Sequence, residues 1–328
     1  MSGHQDHHQP SSGADRGADG SAEPERIDDL APETGGVEPL AALAELTAAT
    51  PPPALRSGVL AAVAARPRPG LEGLAPGELY RRRVAALASL LDELDGSDWA
   101  ALADPYPWTV HRLLAHLTVI EEYTARQLGL ADDPPLPAAD PATTDHLAMG
   151  GEEIESLLAG PPVEAVNRWR TAAGRIADHV RSHRFDPAAP TALNGWVFEA
   201  GTALVARSFE LWTHTDDIRR ATGRPLSTPE AAELKTMSEA SVTALPLLLT
   251  LAGGEPSVTT TRVVLTGAGG GTYDLAGSEP HRNLLVLDVV DYCRVVARRA
   301  EPRLVVRTRE GDGELLDALL RASQAVAM

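Results

Sequence analysis

The sequence predicts a mainly α protein, a bundle of four long helices followed by a small α+β domain. Two observations carry this. Between Glu78 and Ala221, apolar residues recur at helical spacing in four segments of about 17 to 25 residues, joined by polar, proline-rich loops. Beyond Leu251 the pattern breaks at glycines and turns into short runs rich in β-branched residues. A third observation fits both: 328 residues with 43% hydrophobic and 23% charged side chains can bury a core, and suit two domains or one plus a tail.

The elements follow in order. Residues 1–38 are rich in Gly, Ser, Asp, Glu and Pro, cannot bury enough apolar surface to offset their ordering entropy, and read as disordered. Leu40, Leu43 and Leu46, then Leu55, Val59 and Val63 after Pro51-Pro52-Pro53, mark two short helices that complete an extension over 1–74. The bundle is expected over 75–227. Its first helix runs from Glu78 to Leu94, with Val84, Leu87, Leu90 and Leu91 apolar; its second runs from Thr109, after Pro105 and Pro107, to Leu128. A loop over 132–141 and a shorter helix through Ile154 and Leu158 lead to the third, Val163 to Arg184. The fourth spans Trp196 to Ala221 and stops at Gly223 and Pro225, as a glycine followed by proline should stop it. The α+β domain, 228–328, begins with a helix from Pro229 to Leu251. Strands are expected at Thr260–Leu265, Thr272–Leu275 and Arg303–Arg307, with helices from Leu285 to Arg299 and from Gly313 to Val326.

Composition narrows the function. A net charge of −17 offers no basic face for counterion release, so no nucleic-acid partner is expected. No apolar run reaches the roughly 20 residues that span a bilayer, and Met1–Gly20 lacks the apolar core of a secretory signal. Cys293 is the only cysteine, which rules out an internal disulfide and a multi-cysteine zinc site and suits a reducing, cytoplasmic compartment. Set among Val289, Val290, Val295 and Val296, it reads as a buried, inert thiol. The tail histidines His4, His7 and His8 could pick up metal incidentally. The run Gly267–Gly271 joins two strand-like segments and does not open a helix, so it is not a phosphate loop.

The chemistry concentrates on two helices. In Phe209-Glu210-Leu211-Trp212-Thr213-His214-Thr215-Asp216-Asp217, Glu210 and His214 stand four apart on one helical face and could grip one metal ion. Asp217 lies about one turn further and could orient His214 through its other ring nitrogen. Spacing alone favours a blander use, in which Arg207, Glu210, His214 and Asp217 form the wet side of the helix. On the second helix His116 has Leu113, Val119 and Ile120 as face neighbours and points toward the bundle interior, whereas His111 lies on another face, toward the surface. A core histidine satisfied by one hydrogen bond is the commoner outcome. If His116 instead faces the fourth helix, His116, Glu210 and His214 make three protein ligands with an open fourth position, the catalytic pattern for zinc.

The motifs WTVHRLLAHL and RSFELWTHTDDIRRATGRP resemble those of the mycothiol-dependent maleylpyruvate isomerase family, a branch of the DinB-like metal-binding four-helix bundles. The segment VLDVVDYCRVVARRAEP, followed by GDGELLDALL, is similar to that family's C-terminal domain, of sterol-carrier-like α+β fold. The resemblance covers roughly Glu78 to Val326. It implies metal ligands at His116, Glu210 and His214, an orienting Asp217, zinc or another divalent metal, and mycothiol as thiol co-substrate. A thiolate would act on a small electrophile, by isomerisation or thiol transfer. Mycothiol belongs to bacteria of high-GC genomes, which agrees with a chain whose only lysine is Lys235. Arg294 and Arg299 could clamp a substrate carboxylate, a solvated helix face being the alternative. Where the family usually has Gly-Arg, this chain has Arg298-Arg299.

A rival reading comes from another class. Residues 40–66 faintly resemble the helical segment that follows the zinc-binding domain of anti-sigma factors. They would make the chain a non-catalytic regulator that binds a protein partner and uses the bundle as scaffold.

Overall fold

The structure, a computed structural model, describes residues 71–131, 150–193, 196–251, 261–275 and 281–324. The expectations for the tail histidines and for residues 40–66 lie outside these residues, as does the loop over 132–141.

Four long helices build the bundle: α1 (Pro76–Glu93), α2 (Val110–Gln127), α4 (Pro162–His179) and α5 (Ala200–Ala221), with the short α3 (Gly151–Ala159) set against α2 and α4. Prolines at the first turns of α1 and α4 occupy positions where no N–H is needed. Thr109 caps α2, its hydroxyl accepting from the Arg112 N–H at 3.2 Å. Packing runs around the ring: α1 lies against α5, α5 touches α2, α2 packs along α4, and α4 returns to α1. Leu87, Leu90, Leu113, Leu114, Leu117, Trp169, Ile176 and Leu211 fill the centre. The helix expected from Val163 to Arg184 ends earlier, at His179, and tight turns carry the chain on to Phe185.

The start of the fourth helix needs correction. Trp196–Glu199 is a strand, β4, paired antiparallel with β3 (Pro190–Leu193), and α5 begins only at Ala200. Valine and phenylalanine suit a pleated ladder as well as a helix, and the partner strand lies in what reads as a proline loop. A second small hairpin, β1 (Leu102–Ala103) with β2 (Trp108–Thr109), delivers the chain into α2 and holds the loop 104–107 over that helix's start.

The second layer is a four-stranded sheet in the order β6-β5-β7-β8, from β5 (Thr261–Thr266), β6 (Gly271–Asp274), β7 (Asn283–Asp288) and β8 (Thr308–Glu310). β5 pairs antiparallel with β6 and parallel with β7, and β7 pairs antiparallel with β8. Helices α6 (Ala231–Leu251), α7 (Val289–Val296) and α9 (Gly313–Ser323) pack together against it. The glycine run is the β5–β6 turn: Gly269 holds φ +86°, and a Cβ there would sit 2.3 Å from the Ala231 carbonyl oxygen.

Two expectations fail in this layer. The helix expected from Leu285 to Arg299 is a strand to Asp288 and a helix only from Val289. The apolar run Leu284-Leu285-Val286-Leu287 fits either state, and the sheet decides it by placing β7 between β5 and β8. Asp288 then caps α7, accepting from the Val290 N–H at 2.9 Å. The strand expected at Arg303–Arg307 is instead a single helical turn, α8 (Pro302–Val305), with the edge strand starting at Thr308. Pro302 presets the helical φ, and Leu304 is 83% exposed, so no alternating buried face exists there. Cys293 is fully buried, and burial pushes its thiol pKa well up.

Helix α5 lies between the two layers. Its Leu204, Leu211 and Ile218 belong to the bundle core, while Val205 and Trp212 belong to the core of the sheet layer with Met237, Leu245, Val295 and Leu319. Most of its residues are buried, with Thr202 near its start and Arg220 near its end exposed.

Candidate metal centre

The reading of Arg207, Glu210, His214 and Asp217 as a wet helix face is wrong. Their exposures are 0%, 4%, 1% and 1%. His116, on α2, is also fully buried. The α2–α5 contact brings His116, Glu210 and His214 together so that one ligand atom of each lies within 4.8 Å of the others. His116 Nε2 is 3.3 Å from Glu210 Oε1, and His214 Nε2 is 3.9 Å from the same oxygen. Both distances fit two atoms sharing an ion at about 2.1 Å from each.

Each of these side chains is held from behind. His214 Nδ1 lies 3.1 Å from Asp217 Oδ2, so the N–H sits on Nδ1 and the Nε2 lone pair points toward Glu210. Nε2 is buried and has no hydrogen-bond partner among the described residues. Burial pulls the His214 pKa down to about 4, which keeps the ring neutral at physiological pH. Burial, with the Arg207 charge adding to it, brings His116 to about 4 as well. A neutral imidazole is the state that can bind a metal. For Asp217, burial works to raise the pKa, but hydrogen bonds from His214 and Arg299 outweigh it and hold the carboxyl below its usual range.

Arg299 reaches Asp217 from beyond the end of α7, donating through Nε to Oδ1 at 3.2 Å and through Nη2 to Oδ2 at 2.5 Å. Its Nη1 donates to the Ala297 carbonyl at 2.6 Å. The guanidinium is therefore committed to Asp217, not free to clamp a substrate carboxylate. Arg220 adds a further donor to Asp217 Oδ1 at 3.2 Å. Arg294, on α7, is half-buried, and its charge acts on the buried Asp216 carboxylate. The chain reaches Arg299 through a Schellman turn: Arg298 N–H donates to Val295 O (2.9 Å), Arg299 N–H to Arg294 O (2.7 Å), and Arg298 takes φ +56°. Glycine is the residue this turn prefers, which gives the Gly-Arg to Arg298-Arg299 departure a structural meaning.

Sequence reasoning missed the support behind Glu210. Arg207 donates to Glu210 Oε2 through Nη1, and through Nη2 to Glu121 Oε1 at 3.0 Å. The Tyr80 hydroxyl donates to Glu121 Oε2 at 2.8 Å. All three supporting residues are fully buried. The i,i+3 spacing of Arg207 and Glu210 hints at one contact; nothing local ties Glu121 to either. An aromatic wall was missed too. Tyr106 stacks on Trp108 at 4.9 Å between ring centroids, Trp108 lies 5.3 Å from His116, and Tyr106 lies 6.2 Å from His214 and beneath Arg299. His111 is half-buried, edge-on to Trp99, and so less of a surface residue than its helical face suggests.

Among the described residues no helix is long and apolar enough to cross a membrane. A search of curated proteins finds no match. Two crystal structures of mycothiol-dependent maleylpyruvate isomerase resemble the chain, each at 16% identity. A histidine mutant covers 70% of this chain and 90% of its own with a TM-score of 0.50; the second covers 69% and 88% with a TM-score of 0.49. Residues 80–219 match the family model described as the mycothiol maleylpyruvate isomerase N-terminal domain.

Proposed function

We propose, on the match of residues 80–219 to the mycothiol maleylpyruvate isomerase N-terminal domain, that the chain is a thiol-dependent isomerase or thiol transferase acting on a small electrophile, with a divalent metal held by His116, Glu210 and His214. One observation carries the reading. Three ligand atoms from two helices converge, and His214 Nε2 is buried, neutral and unpartnered among the described residues. A buried polar atom left unpaired costs about 1–3 kcal/mol, so a folded chain gains by giving it an ion. Two imidazoles and a carboxylate suit zinc best, with a fourth position left for a ligand from solution.

Bound there, the ion would supply Lewis acidity that lowers the pKa of an incoming thiol and makes it nucleophilic near neutral pH. The protein's own part is positional. Asp217 fixes the His214 tautomer, Arg299 fixes Asp217, and Arg207 turns Glu210 so that Oε1 faces the histidines. Tyr106 and Trp108, set against His214 and His116, would limit the access of water to a thiol bound there. In the isomerase version the sulfur adds to an activated double bond, a C–S bond forming as the π bond breaks. Rotation about the resulting single bond and loss of the same sulfur restore the double bond, and the thiol is returned. Mycothiol is the proposed thiol, and a reducing, cytoplasmic setting keeps it available. The chain's sole cysteine is buried, so the nucleophile has to come from outside.

Elemental analysis of the purified protein is expected to give one zinc per chain, lost in His116→Ala and in His214→Ala, with turnover that requires added thiol. A wild-type protein that binds no zinc at micromolar concentration overturns the reading.

A further inference from the structure

Where α5 meets α6 and α7 there is a cleft of about 110 Å³. Phe198, Val205, Phe209, Met237 and Val296 line it, and Glu210 borders it. Glu210, one of the three proposed ligand residues, is among those that line it, so the cleft borders the site. Its lining has no arginine or lysine among the described residues. The nearby cations are committed elsewhere, Arg207 to Glu121 and Glu210, Arg299 to Asp217. Two of its hydroxyls are also occupied: Ser241 pairs with the Tyr292 hydroxyl at 3.0 Å, and Thr213 donates to the Phe209 carbonyl at 2.9 Å. A carboxylate entering here would lose its water and find neither arginine nor lysine in the lining to replace it. An alkyl group would exchange water for aromatic and aliphatic contacts.

We propose that this cleft receives an uncharged, apolar group of the electrophile, which makes the substrate a compound with a short hydrocarbon arm instead of a dicarboxylate. The assignment rests on the thiol-dependent reading of the same site and adds the substrate class to it. The volume sets the arm's size: a cavity of about 150 Å³ holds benzene, so about 110 Å³ suits a chain of three or four carbons.

The test uses the zinc-loaded full chain without thiol, so that nothing turns over. Four methyl enones serve as probes; three carry a methyl, ethyl or propyl group at the far end of the double bond, and the fourth carries a propionate. Met237 lies in the cleft wall, and its isotope-labelled methyl group reports occupancy by NMR. The Met237 signal is expected to shift saturably with the alkyl enones, the Kd tightening about fourfold per added methylene. The propionate compound is expected to bind at least tenfold more weakly than the propyl one. Ala240→Phe, which fills the cleft, and Thr202→Trp, at its exposed mouth, should each weaken the propyl compound about tenfold without changing zinc content. Equal binding of the propyl and propionate enones, or a Met237 signal that ignores all four, overturns the proposal. Failure of the underlying function reads out separately, as absent zinc or absent thiol dependence.

Discussion

Replacing Arg207 by methionine should weaken the metal-free protein more than any other single change around the site. The side chain is fully buried and serves two carboxylates at once, Glu121 at 3.0 Å and Glu210. Methionine keeps much of the volume and removes the charge, leaving Glu121 with only the Tyr80 hydroxyl and Glu210 with a histidine contact at 3.3 Å. Breaking a buried pair this way costs about 3–5 kcal/mol, chiefly because uncompensated charge stays buried. For a chain of this size each kcal/mol moves Tm by about 2–4 °C, so the drop should be about 6–20 °C in chelator-treated protein. Zinc should narrow the gap, because the ion gives Glu210 a new counter-charge; at a hundred times Kd it also adds about 2.7 kcal/mol by mass action. Adding Glu121→Gln should recover part of the loss by removing one stranded charge. Thermal melts monitored by circular dichroism, with and without zinc, measure all of this. A metal-free Arg207→Met protein that melts within about 2 °C of wild type would refute the reasoning.

Other outcomes follow from the same contacts. Asp217→Asn and Arg299→Lys should each weaken zinc binding about 10–100-fold in competition with a chromophoric chelator while the fold survives; unchanged affinity would mean the pair serves only packing. Arg298→Gly should raise stability by about 0.5–1 kcal/mol, because glycine accepts the left-handed conformation at less cost, and a lower urea midpoint would contradict that. Asp98 accepts from Arg224 at 2.9 Å and from the Asp95 N–H, and the Arg224 hydrogen bond leads in holding its carboxyl below the usual range. Its contribution is present in full above the unfolded value of about 3.9 and is lost as pH falls through the lower folded one. The stability gap between wild type and Asp98→Asn, about 0.5 kcal/mol at pH 6, should therefore close toward pH 2, and a gap constant with pH would count against the contact.

How much of this was legible in the sequence depends on the distance between partners. The second helix could be read because its signals are local: Thr109 caps it, and Leu113, Val119 and Ile120 show which way His116 faces. Gly223 and Pro225 end the fourth helix for equally local reasons. Leu284–Leu287 could not be assigned without the sheet, since a run of four apolar residues fits a buried strand or a helix until neighbouring strands are known. The burial of Arg207 was hidden for a related reason. Its partner Glu121 stands 86 positions away on another helix, and no local spacing points to it. Arg299, 82 positions from Asp217, shows the same blindness: sequence marks it as interesting, but only the fold reveals that its guanidinium is already taken.

That last contact joins two stages of chain maturation. His116, Glu210 and His214 are all synthesised before residue 215, yet the side chain that steadies Asp217 arrives only with the turn after α7. A nascent or nicked chain lacking its final hundred or so residues would still carry all three proposed ligands, but with a loosely held His214 ring and weaker affinity. In the proposed metal-bound state, tight retention of the ion would report that Arg299 has reached Asp217.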